Sequence, residues 1–134
     1  MTLPTVAQWM AAAKSGDGVE GYPWGDDFSP GRSNSRQAGI RTTTAVGVFA
    51  SGMSHFGLFD CGGNVWELCA PERDAGRGPW LRGLRGQQTP DDYLPIKGGS
   101  FAHYWCSVKT RTDVTIREAD REWDVGFRVL KRLP

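Results

Sequence analysis

The chain of 134 residues is long enough for one hydrophobic core and too short for two, so we predict a single domain over residues 1–134. It carries 16 Lys plus Arg against 15 Asp plus Glu, and a net charge of +1 does not predict the basic face that nucleic-acid binding requires. The longest apolar runs, such as residues 46–50, are far shorter than the roughly 20 residues of a membrane span. We expect no transmembrane segment and no signal peptide, and the compartment is not indicated.

A helix is predicted near the start of the chain. Thr5 and Gln8 match a capping box, in which each side chain satisfies a backbone donor of the other residue. The positions that follow give one apolar face over residues 6–14, formed by Val6, Trp9, Met10 and Ala13. After it, the 18 Gly, 8 Pro and 6 Trp of the chain favour loops anchored by aromatic rings, such as a turn held by Tyr22 and Trp24.

The remaining elements are predicted to be short strands. β-Branched or alternating residues favour strands over 42–49, 65–69, 96–101 and 125–130, with a weaker candidate over 108–112. The stretch from Pro71 to Pro95 is long for an unstructured connection, and such length usually indicates a functional or mobile loop. Together these patterns predict an α+β domain that is rich in loops.

Catalytic chemistry is weakly indicated by the residues themselves. Ser100 lacks the second glycine of a nucleophile elbow, and the three cysteines show no C-x-x-C spacing, so buried free thiols are expected. His103 and Cys106 offer a nitrogen and a sulfur to copper or iron, but catalytic metals usually take three protein ligands. Asn64 and Glu67 are open to two interpretations: oxygen ligands of calcium, or an ion pair between Glu67 and an arginine such as Arg128.

Six short motifs, in order and spacing, resemble the C-terminal half of the formylglycine-generating-enzyme (sulfatase-modifying factor) domain. They are the strings at residues 3–9, 22–26, 56–60, 63–67 (Gly-Asn-Val-Trp-Glu), 98–101 (Gly-Gly-Ser-Phe) and 126–128 (Gly-Phe-Arg). The resemblance implies a C-type-lectin-like fold, with short antiparallel strands and one clear N-terminal helix. It also implies that the chain is the C-terminal part of the family domain, or a structural domain of a larger polypeptide.

Departures from the family argue against catalysis. The two cysteines that bind copper in the oxidases of this family align with His103 and Val108, and Cys106 lies between those places. We therefore predict no catalytic residues and no formylglycine-generating activity. The alternative is a divergent metal-dependent oxidase using His103 and Cys106, akin to the sulfoxide synthases, whose additional helical bundle this chain lacks.

The calcium motif of the family is better preserved. The resemblance places Asn64, Val65 and Glu67 where the family has calcium ligands, whereas its second site has only Asn34 and Ser35 as equivalents. We expect at most one structural Ca²⁺ and no organic cofactor.

The variable proteins of diversity-generating retroelements share this frame, and the departures resemble theirs. In that branch, the segment between Gly-Gly-Ser-Phe and Gly-Phe-Arg is diversified to bind a ligand. Here its aromatic and short polar side chains are typical of a binding surface for an unidentified protein or other macromolecule. We predict that the ligand contacts residues within this segment, namely Ala102, His103, Tyr104, Trp105, Cys106, Ser107, Lys109, Arg111, Asp113, Thr115, Arg117 and the stretch 118–124 with Arg121, Trp123 and Asp124.

Overall fold

The computed structural model describes residues 1–16, 21–71 and 93–131. Within these ranges, one α-helix and four strands follow each other along the chain, with 3₁₀ turns between them. No helix in the described ranges is long and apolar enough to cross a membrane. The elements are α1 (Val6–Ala13), β1 (Trp66–Leu68), β2 (Tyr93–Lys97), β3 (Val114–Arg117) and β4 (Val125–Phe127), and the 3₁₀ turns are Pro30–Arg32, Arg36–Ala38, Ala50–Gly52 and Trp105–Val108.

The N-terminal helix forms as predicted and ends one residue earlier. The Thr5 hydroxyl accepts from the Gln8 backbone N–H at 3.3 Å, and the Gln8 side chain accepts from the Thr5 N–H at 3.0 Å. This reciprocal cap fixes where the helix begins. Trp9 and Ala13 are buried on its inner face and pack with Cys61 and Cys69 as a core cluster.

The four strands form a mixed sheet in the order β3-β2-β1-β4. β2 is antiparallel to both of its neighbours, as predicted, whereas β4 is parallel to β1. The prediction that all strands are antiparallel is therefore wrong for this pair. The physical reason is the path of the chain, because β3 lies at one edge of the sheet and the connection must cross to the other edge, where β4 enters in the direction of β1.

The Gly-Gly-Ser-Phe motif follows β2 and turns under the helix. Gly98 has φ +92°, and a Cβ there would lie 3.2 Å from the Trp9 ring and 3.0 Å from the Cys61 carbonyl oxygen. Both the positive φ and the lack of space require glycine at this position. The motif thus anchors the strand to the core cluster.

The strand predicted over 42–49 is absent, and a loop occupies those residues. Side chains from other segments take the backbone groups that a strand would pair. The Asn34 amide donates to the Thr42 carbonyl at 2.8 Å, Asn64 Oδ1 accepts from the Thr44 N–H at 2.9 Å, and Asp60 accepts from the Gly47 N–H at 2.8 Å. Because these bonds satisfy the loop, its β-branched residues need no partner strand.

The later strands are shifted from their predicted places. Residues 108–112 are not a strand, because Val108 ends a 3₁₀ turn and the Thr110 N–H and hydroxyl both donate to the Gly21 carbonyl, at 3.1 and 3.0 Å. The strand comes later, as β3. β2 covers only the first part of the predicted 96–101, and β4 the first half of 125–130. Most of the long loop predicted between Pro71 and Pro95 lies outside the described residues.

The buried thiols predict a loss of stability at alkaline pH. Burial raises the pKa of Cys61 to about 12 and that of Cys69 to about 11, from an ordinary value of 9.0. The unfolded chain therefore releases these protons first, so the thiol contribution to stability is complete below pH 9, declines as pH rises above 9, and is lost once pH has passed the folded pKa values of about 11 and 12. Urea unfolding between pH 8 and 10 should show this slope, up to about 1.4 kcal/mol per pH unit for each thiol.

Two variants separate these thiols from the other groups that titrate at alkaline pH. Cys69→Ala should reduce the slope, whereas Cys106→Ser, which changes the exposed cysteine, should leave it unchanged. Equal slopes in all three proteins would contradict the assignment.

Candidate functional site

Two buried side chains hold the ends of the segment that the sequence singled out. The Ser100 hydroxyl donates to Asp124 Oδ2 at 2.5 Å, and both residues are buried. The Asp124 carbonyl also accepts from the Trp66 N–H of β1 at 2.9 Å. We call the Ser100–Asp124 contact the latch. It holds Gly-Gly-Ser-Phe against the start of β4, so that residues 101–123, which include β3, are joined at their two ends.

His103 lies against the latch. Its Nδ1 is 2.7 Å from the Ser100 oxygen and 3.4 Å from Asp124 Oδ2, and the Trp66 indole N–H donates to the same nitrogen at 3.2 Å. A hydrolytic triad needs the serine and the carboxylate on different ring nitrogens. Here both face one nitrogen and Ser100 is fully buried, so the cluster is structural.

A buried lysine holds the middle of the segment. Lys97 is 1% exposed, and its ammonium donates to the Thr112 carbonyl at 2.8 Å and to Asp113 Oδ1 at 2.9 Å. It also lies 6.0 Å from the centre of the Trp9 ring. A buried ammonium requires partners of this kind, so the turn at 112–113 is fixed to the core. Sequence analysis missed Lys97, because a lysine in a short strand ordinarily points to solvent.

The two positions that the resemblance aligns with the family's catalytic cysteines hold a valine, which cannot bind a metal, and a histidine, whose Nδ1 already has protein partners. Val108 is fully buried, and a Cβ on Gly99 would lie 2.8 Å from its Cγ1. His103 is engaged at Nδ1, while Cys106 is exposed in the adjacent 3₁₀ turn. Among the described residues, no group of three His, Cys, Asp or Glu side chains is placed to hold a metal. The pair His103 and Cys106 therefore has no third ligand of these types in the described ranges.

The structure places the predicted contact residues at three depths. Asp124 is only 6% exposed and forms the latch, so it supports the surface from below and does not line it. Four others are partly buried: Ala102, His103, Ser107 and Lys109. The rest are exposed, namely Tyr104, Trp105, Cys106, Arg111, Asp113, Thr115, Arg117, Arg121 and Trp123.

Three large aromatic side chains of the segment face outward. Trp123 is 71% exposed and meets Phe101 edge to face at 4.9 Å between ring centres. Tyr104 and Trp105 are 55% and 46% exposed. Arg36 lies over the Tyr104 ring, and its backbone N–H donates to the His103 carbonyl at 2.9 Å. Arg36 was not predicted, because no sequence spacing connects the 3₁₀ turn Arg36–Ala38 with the segment.

The residues predicted to bind calcium are engaged with protein groups. The Glu67 carboxylate accepts from the Arg128 guanidinium through both oxygens, and Oε2 also accepts from the Trp9 indole at 2.5 Å. The alternative interpretation of Glu67, an ion pair with Arg128, is confirmed. Burial lowers the pKa of Arg128, but the bonds to Glu67 outweigh burial, and the net pKa is raised.

The second predicted ligand is equally occupied. Asn64 Oδ1 accepts from the Asn34 amide at 3.1 Å and from the Thr44 N–H at 2.9 Å. Calcium needs six or more oxygens at 2.3–2.6 Å, and the oxygens offered here would first have to give up their donors. The Asn64 and Glu67 side chains as arranged in this structure therefore do not fit a calcium ion, and no contact is described for the Val65 carbonyl.

Removing the latch should destabilise the fold. Ser100→Ala leaves the buried Asp124 carboxylate without its closest donor, and we expect a loss of about 2 kcal/mol in the free energy of unfolding, measured with urea. Asp120→Ala is the control, since it breaks only the exposed ion pair with Arg117 and should cost far less. Equal losses in the two variants would show that the latch is not structural.

Because the Glu67 carboxylate is already bound to Trp9 and Arg128, we expect calcium not to change the stability of the chain. Adding millimolar CaCl₂ or EDTA to the purified chain should change its melting temperature by less than about 1 °C, because a ligand stabilises a fold only by binding its native state. MgCl₂ at the same concentration controls for ionic strength. A calcium-specific rise that is lost in Glu67→Gln would contradict the structural reading of this residue.

Comparisons with known proteins agree with this geometry. The inactive C-alpha-formylglycine-generating enzyme 2 of Bos taurus is 32% identical over 136 residues, which cover 94% of this chain and 42% of the bovine protein. The formylglycine-generating enzyme of Thermomonospora curvata is 34% identical over 117 residues, covering 74% of this chain and 38% of that enzyme. The chain thus spans less than half the length of these relatives.

A solved structure and a family model complete the comparison. Treponema denticola variable protein 1 superposes with a TM-score of 0.66 at 23% identity, over 93% of this chain and 45% of that one. The predicted α+β, C-type-lectin-like fold, rich in loops and with one N-terminal helix, is confirmed. The model of the sulfatase-modifying factor enzyme 1-like domain matches residues 1–133. The chain belongs to this family, the formylglycine-generating-enzyme (sulfatase-modifying factor) domains.

Proposed function

We propose that this domain is a non-catalytic member of its family and binds a protein or other macromolecule through residues 102–123. One observation carries the proposal: the segment is fixed at its ends by the latch and in its middle by Lys97, yet its large aromatic side chains point to solvent. Exposed aromatics on a rigid frame bind well, because they give contact area at little cost in conformational entropy.

The absence of catalysis is supported by what replaces the family's chemistry. Val108 is part of the core, and the Nδ1 of His103 is held by Trp66 and Ser100, so neither position offers the thiolate that copper prefers. The bovine relative is named an inactive enzyme, although the Thermomonospora curvata relative is named a generating enzyme. A divergent oxidase using His103 and Cys106 is the alternative function.

The likeness to a variable protein supports the same assignment. That protein shares the fold, and its name describes variation. In this chain the exposed side chains of the segment, apart from Asp113, take no part in the hydrogen bonds of the latch or of Lys97, so substitutions such as those at Trp105 or Trp123 would leave both untouched. A frame of this kind tolerates diversification of its surface, and we extend the proposal to a diversified surface on this ground.

The exposed aromatics should be required for ligand binding and dispensable for folding. A random-peptide phage library selected on the chain should yield clones whose affinity falls at least about tenfold on Tyr104→Ala or Trp105→Ala. The melting temperatures of both variants should stay near that of the parent chain. Val46→Ala is the matched control, because Val46 is 79% exposed and lies outside the segment.

Two results would overturn the proposal. Selected clones that bind all variants equally would place the binding surface elsewhere. The second result concerns catalysis. The chain would be incubated with a cysteine-containing peptide, copper or iron, and oxygen, and the peptide would then be examined by mass spectrometry. Conversion of its cysteine to formylglycine would establish the oxidase instead. The same incubation with Cys106→Ser tests whether any such activity depends on the exposed thiol.

A further inference from the structure

Two cations lie over two neighbouring exposed aromatic rings. The Arg36 guanidinium carbon is 5.1 Å from the centre of the Tyr104 ring, and Lys109 Nζ is 5.6 Å from the centre of the Trp105 ring. Both distances are within the range of cation–π attraction. We call Arg36, Tyr104, Trp105 and Lys109 the cation–aromatic face.

The backbone around this face is held in place. The Arg36 N–H donates to the His103 carbonyl, and the Ser107 N–H donates to the Tyr104 carbonyl at 2.9 Å. The first bond joins the 3₁₀ turn Arg36–Ala38 to residue 103, and the second closes the start of the turn Trp105–Val108. The backbone around both rings is therefore held by hydrogen bonds, and each cation lies against its own ring.

Within the described residues, no carboxylate balances the positive charge of the face. Neither Arg36 nor Lys109 forms an ion pair with a residue in the described part of the chain. The carboxylate of Asp113, four residues after Lys109, is bound to the Lys97 ammonium, and the carboxylate of Asp120 is bound to Arg117. A contact with a ring leaves the N–H donors at the rim of a guanidinium available to an acceptor.

We propose that the ligand of this face is an acidic peptide segment of a partner protein. Its carboxylates would accept from Arg36 and Lys109, with a bidentate contact at the guanidinium, while an adjacent apolar side chain would cover Tyr104 and Trp105. The inference rests on the proposed function and names the ligand class of the same surface. It also adds Arg36, which lies outside the segment, to the binding residues.

A nucleic acid is a poorer match to the same charges. Its binding depends on neutralising several phosphates in a row, whereas this face has two cations and the chain has a net charge of +1. Glu118 and Glu122 are exposed in the connection between β3 and β4, on the segment that includes Tyr104 and Trp105. An acidic peptide can place single carboxylates against the two cations. It therefore brings less further negative charge toward Glu118 and Glu122 than a row of phosphates would.

Charge reversal tests the ligand class directly. We expect peptides selected from the phage library on the parent chain to be enriched in Asp and Glu over the input library. Their affinity should fall at least about tenfold on the double variant Arg36→Glu, Lys109→Glu, because two attractions become repulsions. Selection on that double variant should instead enrich Lys and Arg.

The control makes the same change in net charge at two cations outside the face. Arg32→Glu with Lys131→Glu alters two other exposed cations and should leave affinity nearly unchanged. Thermal unfolding of both double variants checks that they fold. Enrichment without acidic residues, or equal weakening in both double variants, would overturn the inference.

The outcomes also separate this inference from the proposed function. Clones that depend on Tyr104 and Trp105 but show no acidic preference would support the proposed binding surface and contradict the acidic ligand class. Clones that depend on neither the rings nor the cations would contradict both the binding surface and the ligand class. Displacement of the selected peptides by a single-stranded oligonucleotide at physiological salt would favour a nucleic-acid ligand and overturn the acidic-peptide assignment.

Discussion

The buried carboxylate of Glu67 is the point on which the rest of the structure depends. It accepts from the Trp9 indole of α1 and from the Arg128 guanidinium just after β4, while Glu67 itself lies in β1. One side chain therefore joins three segments that are far apart in the sequence. Removing one partner of such a pair leaves an uncompensated buried charge, which costs about 3–5 kcal/mol in typical cases. The constraint explains why three distant motifs occur together in this chain.

The segments that Glu67 joins are linked to residues 101–123 through Trp66, which lies next to Glu67 in β1. The Trp66 backbone N–H donates to the Asp124 carbonyl, and its indole N–H donates to His103 Nδ1. The frame thus holds the segment from beneath through hydrogen bonds to buried atoms. The exposed Trp105 side chain takes no part in these hydrogen bonds, whereas Trp123 packs edge to face on the buried Phe101.

The sequence predicted those parts of the fold that depend on local patterns. The capping box of Thr5 and Gln8 defined the helix, and the ion pair of Glu67 with Arg128 was one of two stated alternatives. The strand expected over 42–49 failed because side chains from distant positions satisfy its backbone groups, which β-propensity does not describe. The parallel pairing of β4 also depends on the path of the chain and not on local composition.

The candidate surface was predictable as a segment but not in its charges. Its limits follow from the two glycine motifs, and its aromatic content is visible in the sequence. By contrast, Asp124 was expected at the surface and is buried, the buried Lys97 was not singled out, and Arg36 enters from a separate turn. The roles of Lys97, Asp124 and Arg36 can be recognised only from the fold, because it shows which charged side chains are already paired.

The buried residues that hold the backbone are largely different from the exposed side chains, and this difference also bears on how the chain relates to the catalytic members of the family. A cysteine at position 103 or 108 would sit on a backbone already fixed by the latch, by Trp66 and by Gly99, none of which requires a thiol. Here Val108 fills its position with core packing, and the Nδ1 of His103 is engaged by Trp66 and Ser100. Because the frame is stabilised independently of the chemistry it supports, loss of the thiolate pair need not cost stability. On the proposed function, a binding surface is then carried by the same domain family as a relative named a formylglycine-generating enzyme.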